Sequence, residues 1–306
     1  RPRRLYGPTM KPQHFLQLVA LSALWGASFM LIRMASPVLG PNVLAAARIG
    51  MATLTLAVIM RLARHAWPTG HWRELALIGL LSVALPFLLF AWAALRLPAG
   101  YSALLNSTAA VFGMFASAWL KEDTLTTRKV MGCICGFAGV ALIVGLGPVQ
   151  PTWEVALAAL ACVVASACYG VSTPLMKRAL GRMQPLQIAA GLHAMAFLML
   201  LPGAAWSASA ARITPMALVA VAIMGIVTSG IAYWLHVRIL AHVTPVAAMS
   251  PTFMIPVFGV TWGHVFLGET LGAGLFMGGA LVLVACALIT GFSPWERWLD
   301  AADAKL

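Results

Sequence analysis

Acidic residues are what this chain has least of: eight Asp and Glu among 306 residues, against twenty Lys and Arg. Glu74, Glu122, Asp123, Glu154, Glu269, Glu296, Asp300 and Asp303 all map to the ends of long apolar runs, to the segments between them or to the tail. A proton exchanger keeps a carboxylate inside the membrane as its carrier, so this distribution argues against carboxylate-mediated antiport. Charged residues make up only 9% of the chain, where soluble domains carry about a quarter, and 61% of residues are hydrophobic. That excess of apolar surface excludes a water-soluble domain and makes the bilayer the solvent. The five cysteines are odd in number, lie in apolar runs and include no CxxC. They read as small apolar residues, with no metal site and no disulfide framework. HExxH and GxSxG are absent, as is any intramembrane carboxylate pair, which weighs against an intramembrane enzyme.

What is there is a series of apolar runs long enough to span. A membrane helix needs roughly 20 such residues. Ten spans are expected, near 14–34, 42–62, 74–95, 98–119, 125–146, 152–176, 186–206, 215–238, 244–266 and 271–291. With the N-terminus inside, the inner segments hold sixteen Lys and Arg, the outer loops hold Arg33, Arg96 and Arg212, and Arg48 falls within span 2. The positive-inside rule therefore places both termini on the cytoplasmic side. It also accounts for the net charge of +12 without a nucleic-acid partner, since the basic residues sit in small groups between apolar runs. No cleavable signal peptide is visible, so the first helix is expected to remain. Met10 is placed as an initiator would be, which makes residues 1–9 a candidate non-native extension.

The chain repeats itself. Gly26, Ser28, Leu31, Ala35 and Pro41 recur as Gly170, Ser172, Leu175, Ala179 and Pro185, while Trp25 becomes Tyr169 and Arg33 becomes Lys177. Further on, Gly79 recurs as Gly225, AVFGM at 110–114 as PVFGV at 256–260, and DTL at 123–125 as ETL at 269–271. The offset moves from 144 to 146, as one small loop difference would cause. The units are 14–147 and 148–291, with a cytoplasmic segment 1–13 before them and a cytoplasmic tail 292–306 after. Five spans per unit is an odd number, so the second copy enters the membrane from the opposite side. The expected fold is all-α: ten transmembrane helices in two inverted five-helix repeats around a central cavity. In transporters such repeats place the substrate near the midplane and rock one unit against the other.

These residues resemble a known family. SALWGASFMLIRMA resembles the first helix of EamA-type transporters of the drug/metabolite transporter superfamily, AAARIGMATLTL their second, and PVFGVTWGHVFLGETL their ninth and the turn after it. The resemblance covers nearly the whole chain. Departures are Ala110 against Pro256, and Glu122-Asp123 against Gly268-Glu269, between the two copies. The resemblance implies export of small metabolites through a cavity lined mainly by helices 1, 3, 4, 6, 8 and 9. Amino-acid export, aromatic amino acids included, is the commonest expectation; drug or sugar-type export is the alternative.

On those helices, side chains three or four residues apart share a face. The candidates for lining the path are Trp25 and Phe29 on span 1, Phe87 and Phe90 on span 3, and their mates Tyr233 and His236 on span 8. Tyr169 and Ser172 on span 6, Asn106 on span 4 and its mate Thr252 on span 9 complete the set. An aromatic cavity with a few hydrogen-bonding groups suits a small ligand with an apolar part and a zwitterionic head. Ser and Thr also bond to their own helix, and aromatics also anchor helix ends, so each has an ordinary structural explanation. Arg48 either meets a substrate carboxylate or snorkels or caps a helix end, and the sequence favours the structural role. Pro86 and Pro256 are expected to kink spans 3 and 9 as hinges. Asp123 and Glu269 are expected to cap spans 5 and 10, with a possible gate contact. Gly132, Gly136, Gly274 and Gly278 are expected to pack span 5 on span 10 rather than form a dimer seam. The partners implied are a small-molecule substrate and the lipid bilayer, for a monomer more than a dimer, with no cofactor.

Overall fold

The computed structural model describes residues 12–97, 99–144, 152–267 and 274–290. Among these residues the backbone is helical and forms no strand. The first repeat holds α1 (Pro12–Leu39), α2 (Pro41–Leu62), α3 (Trp72–Gly79 continuing through Leu85–Ala93), α4 (Ala99–Ser107 and Ala109–Trp119) and α5 (Thr127–Val144). The second holds α6 (Trp153–Ala179), α7 (Pro185–Ser207), α8 (Pro215–Leu240), α9 (Pro245–Ala248 and Pro251–Leu267) and α10 (Gly274–Thr290). Seven of these, α1, α2, α3, α6, α7, α8 and α9, are long and apolar enough to cross a membrane. Large apolar side chains such as Leu54, Leu160, Leu198 and Leu218 are exposed along them. In water each would be a liability; facing lipid, each is at home.

Local sequence sets the helix starts. Thr152, Thr214 and Thr244 precede α6, α8 and α9, and each hydroxyl accepts a hydrogen bond from the backbone N–H three residues on, at 3.2–3.3 Å. Such caps are each worth about 0.5–2 kcal/mol. Gln184 and Gln187 bond reciprocally to open α7. Between α1 and α2, Gly40 takes φ 75°, a left-handed conformation that a side chain would strain, and Pro41 starts the next helix.

The repeat in the sequence becomes a repeat of contacts. A Cβ on Gly26 of α1 would lie 2.9 Å from Phe258 Cβ and 3.0 Å from Gly259 N of α9. A Cβ on its mate Gly170 of α6 would lie 2.6 Å from Phe112 Cβ and from Gly113 N of α4. Phe112-Gly113 and Phe258-Gly259 are themselves repeat mates. Each repeat's first helix thus beds, through a glycine, on the other repeat's fourth. Gly79 of α3 likewise abuts Leu192 O of α7, and Gly225 of α8 abuts Arg48 O of α2. Arg33 reaches the carbonyls of Ala94 and Leu97 at the end of α3. Lys177 reaches those of Leu240 and Val243 at the end of α8, at 2.6 and 2.9 Å. Both cations answer the negative end of a helix. Both α3 and α8 also widen into π-helical turns, at Leu80–Ala84 and Ile223–Ile231.

Some details differ from expectation. The π turn of α3 ends at Ala84, two residues before Pro86, which has no N–H to complete an ordinary helical turn. In α9 the chain breaks at Met249-Ser250, ahead of Pro251, and runs on as helix through Pro256. A proline disfavours the helical conformation of the residue before it, and Pro251 does so at a point where the helix has made only one turn. α5 begins at Thr127, so Asp123 does not cap it from the expected position. Asp123 instead pairs with Lys129 and accepts the N–H of Thr124. Glu269 lies outside the described residues. α5 does pack on α10, through Gly132 against Ile289 and Gly139 against the Gly278 carbonyl, whereas Gly136 receives the Phe253 ring of α9.

Candidate functional site

A cavity lies where α1, α2, α3, α4, α6, α8 and α9 meet, with about 840 Å³ of empty space including that at its mouth. All ten side chains singled out as path-lining from the sequence border it: Trp25, Phe29, Phe87, Phe90, Asn106, Tyr169, Ser172, Tyr233, His236 and Thr252. Arg48 borders it too. Pro86, Pro256 and Asp123 do not.

The aromatic wall is built ring on ring. Phe29 meets Phe90 edge-on at 5.6 Å between centroids, and Phe90 stacks on Tyr169 at 6.1 Å. Trp25 meets His236 edge-on at 5.3 Å, and Tyr233 lies 5.9 Å from His236. Behind the wall, fully buried His193 of α7 packs its ring edge-on against Tyr233 at 4.7 Å. Each such pair adds about 0.5–1.5 kcal/mol beyond its buried area, so the wall is pre-formed rather than assembled around a ligand.

The polar groups divide into two kinds. Ser172 and Thr173 return their hydroxyls to the Tyr169 carbonyl, and Thr252 bonds the Met249 carbonyl. These hydroxyls are satisfied by their own helices. Asn106 is different: its Oδ1 is buried without a partner. So is His236 Nδ1. Buried polar atoms without partners are rare and point to a function or a bound group.

Arg48 is 5% exposed. Its Nε–H donates to Ser229 Oγ at 2.6 Å and one terminal nitrogen donates to Thr228 Oγ1 at 3.3 Å. Its guanidinium carbon lies 4.2 Å over the Phe87 ring. Thr228 holds the group in place: its hydroxyl donates to Met224 O and accepts from Ser28 as well as Arg48, while its carbonyl accepts the Trp25 indole N–H. Both residues lie in the π turn of α8, where Thr228 meets α1 and α2 and the adjacent Ser229 meets α2. Sequence reasoning missed both residues. The signal was there as a polar doublet flanked by Gly225 and Gly230 in an apolar run. Among the described residues no carboxylate lines the cavity.

At one end of the bundle, polar contacts tie one repeat to the other. Arg178 of α6 bonds Glu122 at 2.6 Å and the Leu120 carbonyl, Arg182 bonds Glu74 at 2.6 Å, and Gln187 of α7 donates to Ala66 O at 2.9 Å.

Comparison with known proteins gives the same architecture. The model of the EamA-like transporter family matches twice, over residues 15–145 and 156–291. A Bacillus subtilis protein named "Uncharacterized transporter YvbV" is 25% identical over 94% of both chains. A Streptantibioticus cattleyicolor protein named "Probable terminal-alkyne amino-acid exporter" is 25% identical over 89% of this chain and 91% of its own. A solved crystal structure superposes with a TM-score of 0.75 at 19% identity, covering 92% of this chain and 99% of that one, which shows the fold.

Proposed function

The chain belongs to the EamA-like transporter family, and from that premise we propose that it exports neutral or aromatic amino acids, or closely related small metabolites. Ten spans in two inverted repeats carry them by alternating access across the bacterial inner membrane, with both termini cytoplasmic. The observation that carries this reading is the cavity: aromatic side chains from both repeats surround one guanidinium and one unpartnered amide oxygen. An amino acid offers a matching set of groups, an apolar side chain beside a carboxylate and an ammonium. A relative named as an amino-acid exporter supports it. Transport is facilitated, driven by the substrate gradient, since the acidic residues lie at the ends of the spans and in the segments between them, with none at mid-span to carry a proton.

Counterflow in proteoliposomes tests the proposal. Vesicles loaded with an aromatic or neutral amino acid are expected to accumulate the labelled compound saturably, with or without a pH gradient. Monodisperse protein that moves no amino acid refutes the substrate, and strict dependence on the pH gradient refutes the mode of coupling.

A further inference from the structure

Resting on the amino-acid reading, we infer that Arg48 and the Thr228-Ser229 turn form a site for a free carboxylate, and that Asn106 Oδ1 takes the substrate's ammonium, so that the cavity selects zwitterions over amides, esters and amine cations.

A guanidinium carries five N–H donors and stays protonated. The neighbours of Arg48 are two hydroxyls and a ring face, none of which carries a negative charge. A buried cation without a counter-ion is costly inside a membrane protein and marks a functional site. A structural arginine would be expected to spend its donors on backbone carbonyls, as Arg33 does at the end of α3. Arg48 spends them on hydroxyls fixed by a π turn, a geometry frequent at functional sites. The fork of a guanidinium matches a carboxylate with two parallel N–H···O bonds. Phe87 beneath the guanidinium fixes the plane of that fork.

Asn106 supplies the second point. It is 4% exposed, lines the same cavity, and its Oδ1 has no donor. An ammonium is a donor-only group and satisfies such an oxygen, whereas a carboxylate does not. Neither group has a polar equivalent of its kind in the second repeat: Leu192 stands at the mate of Arg48 and Thr252, bonded to its own helix, at the mate of Asn106. The cavity is pseudo-symmetric in shape and one-sided in charge, which fixes the orientation of the substrate's head.

Competition against labelled L-phenylalanine counterflow tests this, with L-phenylalanine, L-phenylalaninamide and phenethylamine as competitors. L-Phenylalanine is expected to compete at least tenfold better than the amide or the amine. Arg48→Gln is expected to bring acid and amide within about threefold of each other, a ratio that a purely structural arginine would leave unchanged. Where Arg48→Gln fails to fold, Ser229→Ala, which frees the fork without removing the charge, is expected to narrow the same ratio. Acid and amide competing equally on the wild-type protein overturns the inference and leaves the transport reading standing. Absence of L-phenylalanine counterflow, with other amino acids also inert, overturns both.

Discussion

Gly170→Ala isolates the contact on which the second repeat is seated. The new Cβ would stand 2.6 Å from Gly113 N and from Phe112 Cβ, and 2.8 Å from Phe112 C. Two of these three atoms are backbone, so no rotamer change relieves the clash. A comfortable separation between heavy atoms is about 3.5–4.0 Å, so α4 and α6 must part locally by about 1 Å. Overpacking of this kind costs about 1–3 kcal/mol, and contact with rigid backbone places Gly170→Ala at the upper end. Alanine returns up to about 1 kcal/mol of helix propensity, leaving a net loss of about 2 kcal/mol. At about 2–4 °C per kcal/mol for a large domain, the purified protein is expected to melt about 4–8 °C lower. Gly26→Ala makes contacts of 2.9–3.0 Å and is expected to lose about half as much. Gly279→Ala is the control, since nothing lies within 4 Å of its Cβ. The assay is thermal loss of the monodisperse peak in detergent. Gly170→Ala melting with the wild type, or below it by no more than Gly279→Ala does, refutes the account of the repeat as a conserved close approach. Because Tyr169 precedes Gly170, counterflow is expected to fall with it.

Two further outcomes follow from named contacts. Lys177→Met removes the donor that serves the carbonyls of Leu240, Ala241 and Val243, and Arg33→Met does the same at Ala94 and Leu97. Charged hydrogen bonds are worth about 1.5–3 kcal/mol, so both variants are expected to melt several degrees lower, by similar amounts, and a thermal-shift series checks this. Glu122→Gln with Glu74→Gln cuts the two ion pairs that join the repeats at one end and leaves Arg96–Glu154 at the other; at about 0.2–1 kcal/mol each, the expected effect is a change of up to about thirtyfold in labelling by an impermeant thiol reagent of a cysteine placed at Met249, with little change in melting.

The sequence was most informative where two signals coincided. Trp25 and Tyr169, Phe87 and Tyr233, Phe90 and His236, and Asn106 and Thr252 are repeat mates as well as members of helical faces, and all eight border one cavity. Thr228 and Ser229 escaped because consecutive residues of an α-helix point about 100° apart, whereas in the π turn of α8 both serve the guanidinium. Such a turn leaves no mark in hydrophobic periodicity. The role of Asp123 was misjudged because a carboxylate before an apolar run reads as a cap, whereas the position of Lys129 relative to it depends on where the helix actually begins. Gly136 looked like part of a helix seam, but only the packed structure shows the Phe253 ring against it.

What the two repeats share and what they do not share separate fold from function. The shared features are steric or backbone-directed: Gly26 and Gly170 at close approaches, Gly79 and Gly225 against facing carbonyls, Arg33 and Lys177 at helix ends, and the paired π turns. Any of these lost from one copy would spoil the contact it makes and leave the contact of its mate in place. The differences are polar. Arg48 faces Leu192 across the repeat, Arg178 and Glu122 face Met34 and Gly268, and Arg182 and Glu74 face Val38 and Ala220. The two ion pairs at one end, Arg178–Glu122 and Arg182–Glu74, have no charged repeat mates, and the other end carries a different pair between the repeats, Arg96–Glu154 at 3.3 Å. In a carrier whose two access states exchange the roles of the repeats, identical repeats would leave the two states equal in energy. Pairs present in only one state lower that state alone, by the differential interaction they make there. The bias of this transporter is expected to reside in those few polar departures, while the duplicated glycines and π turns keep both states accessible.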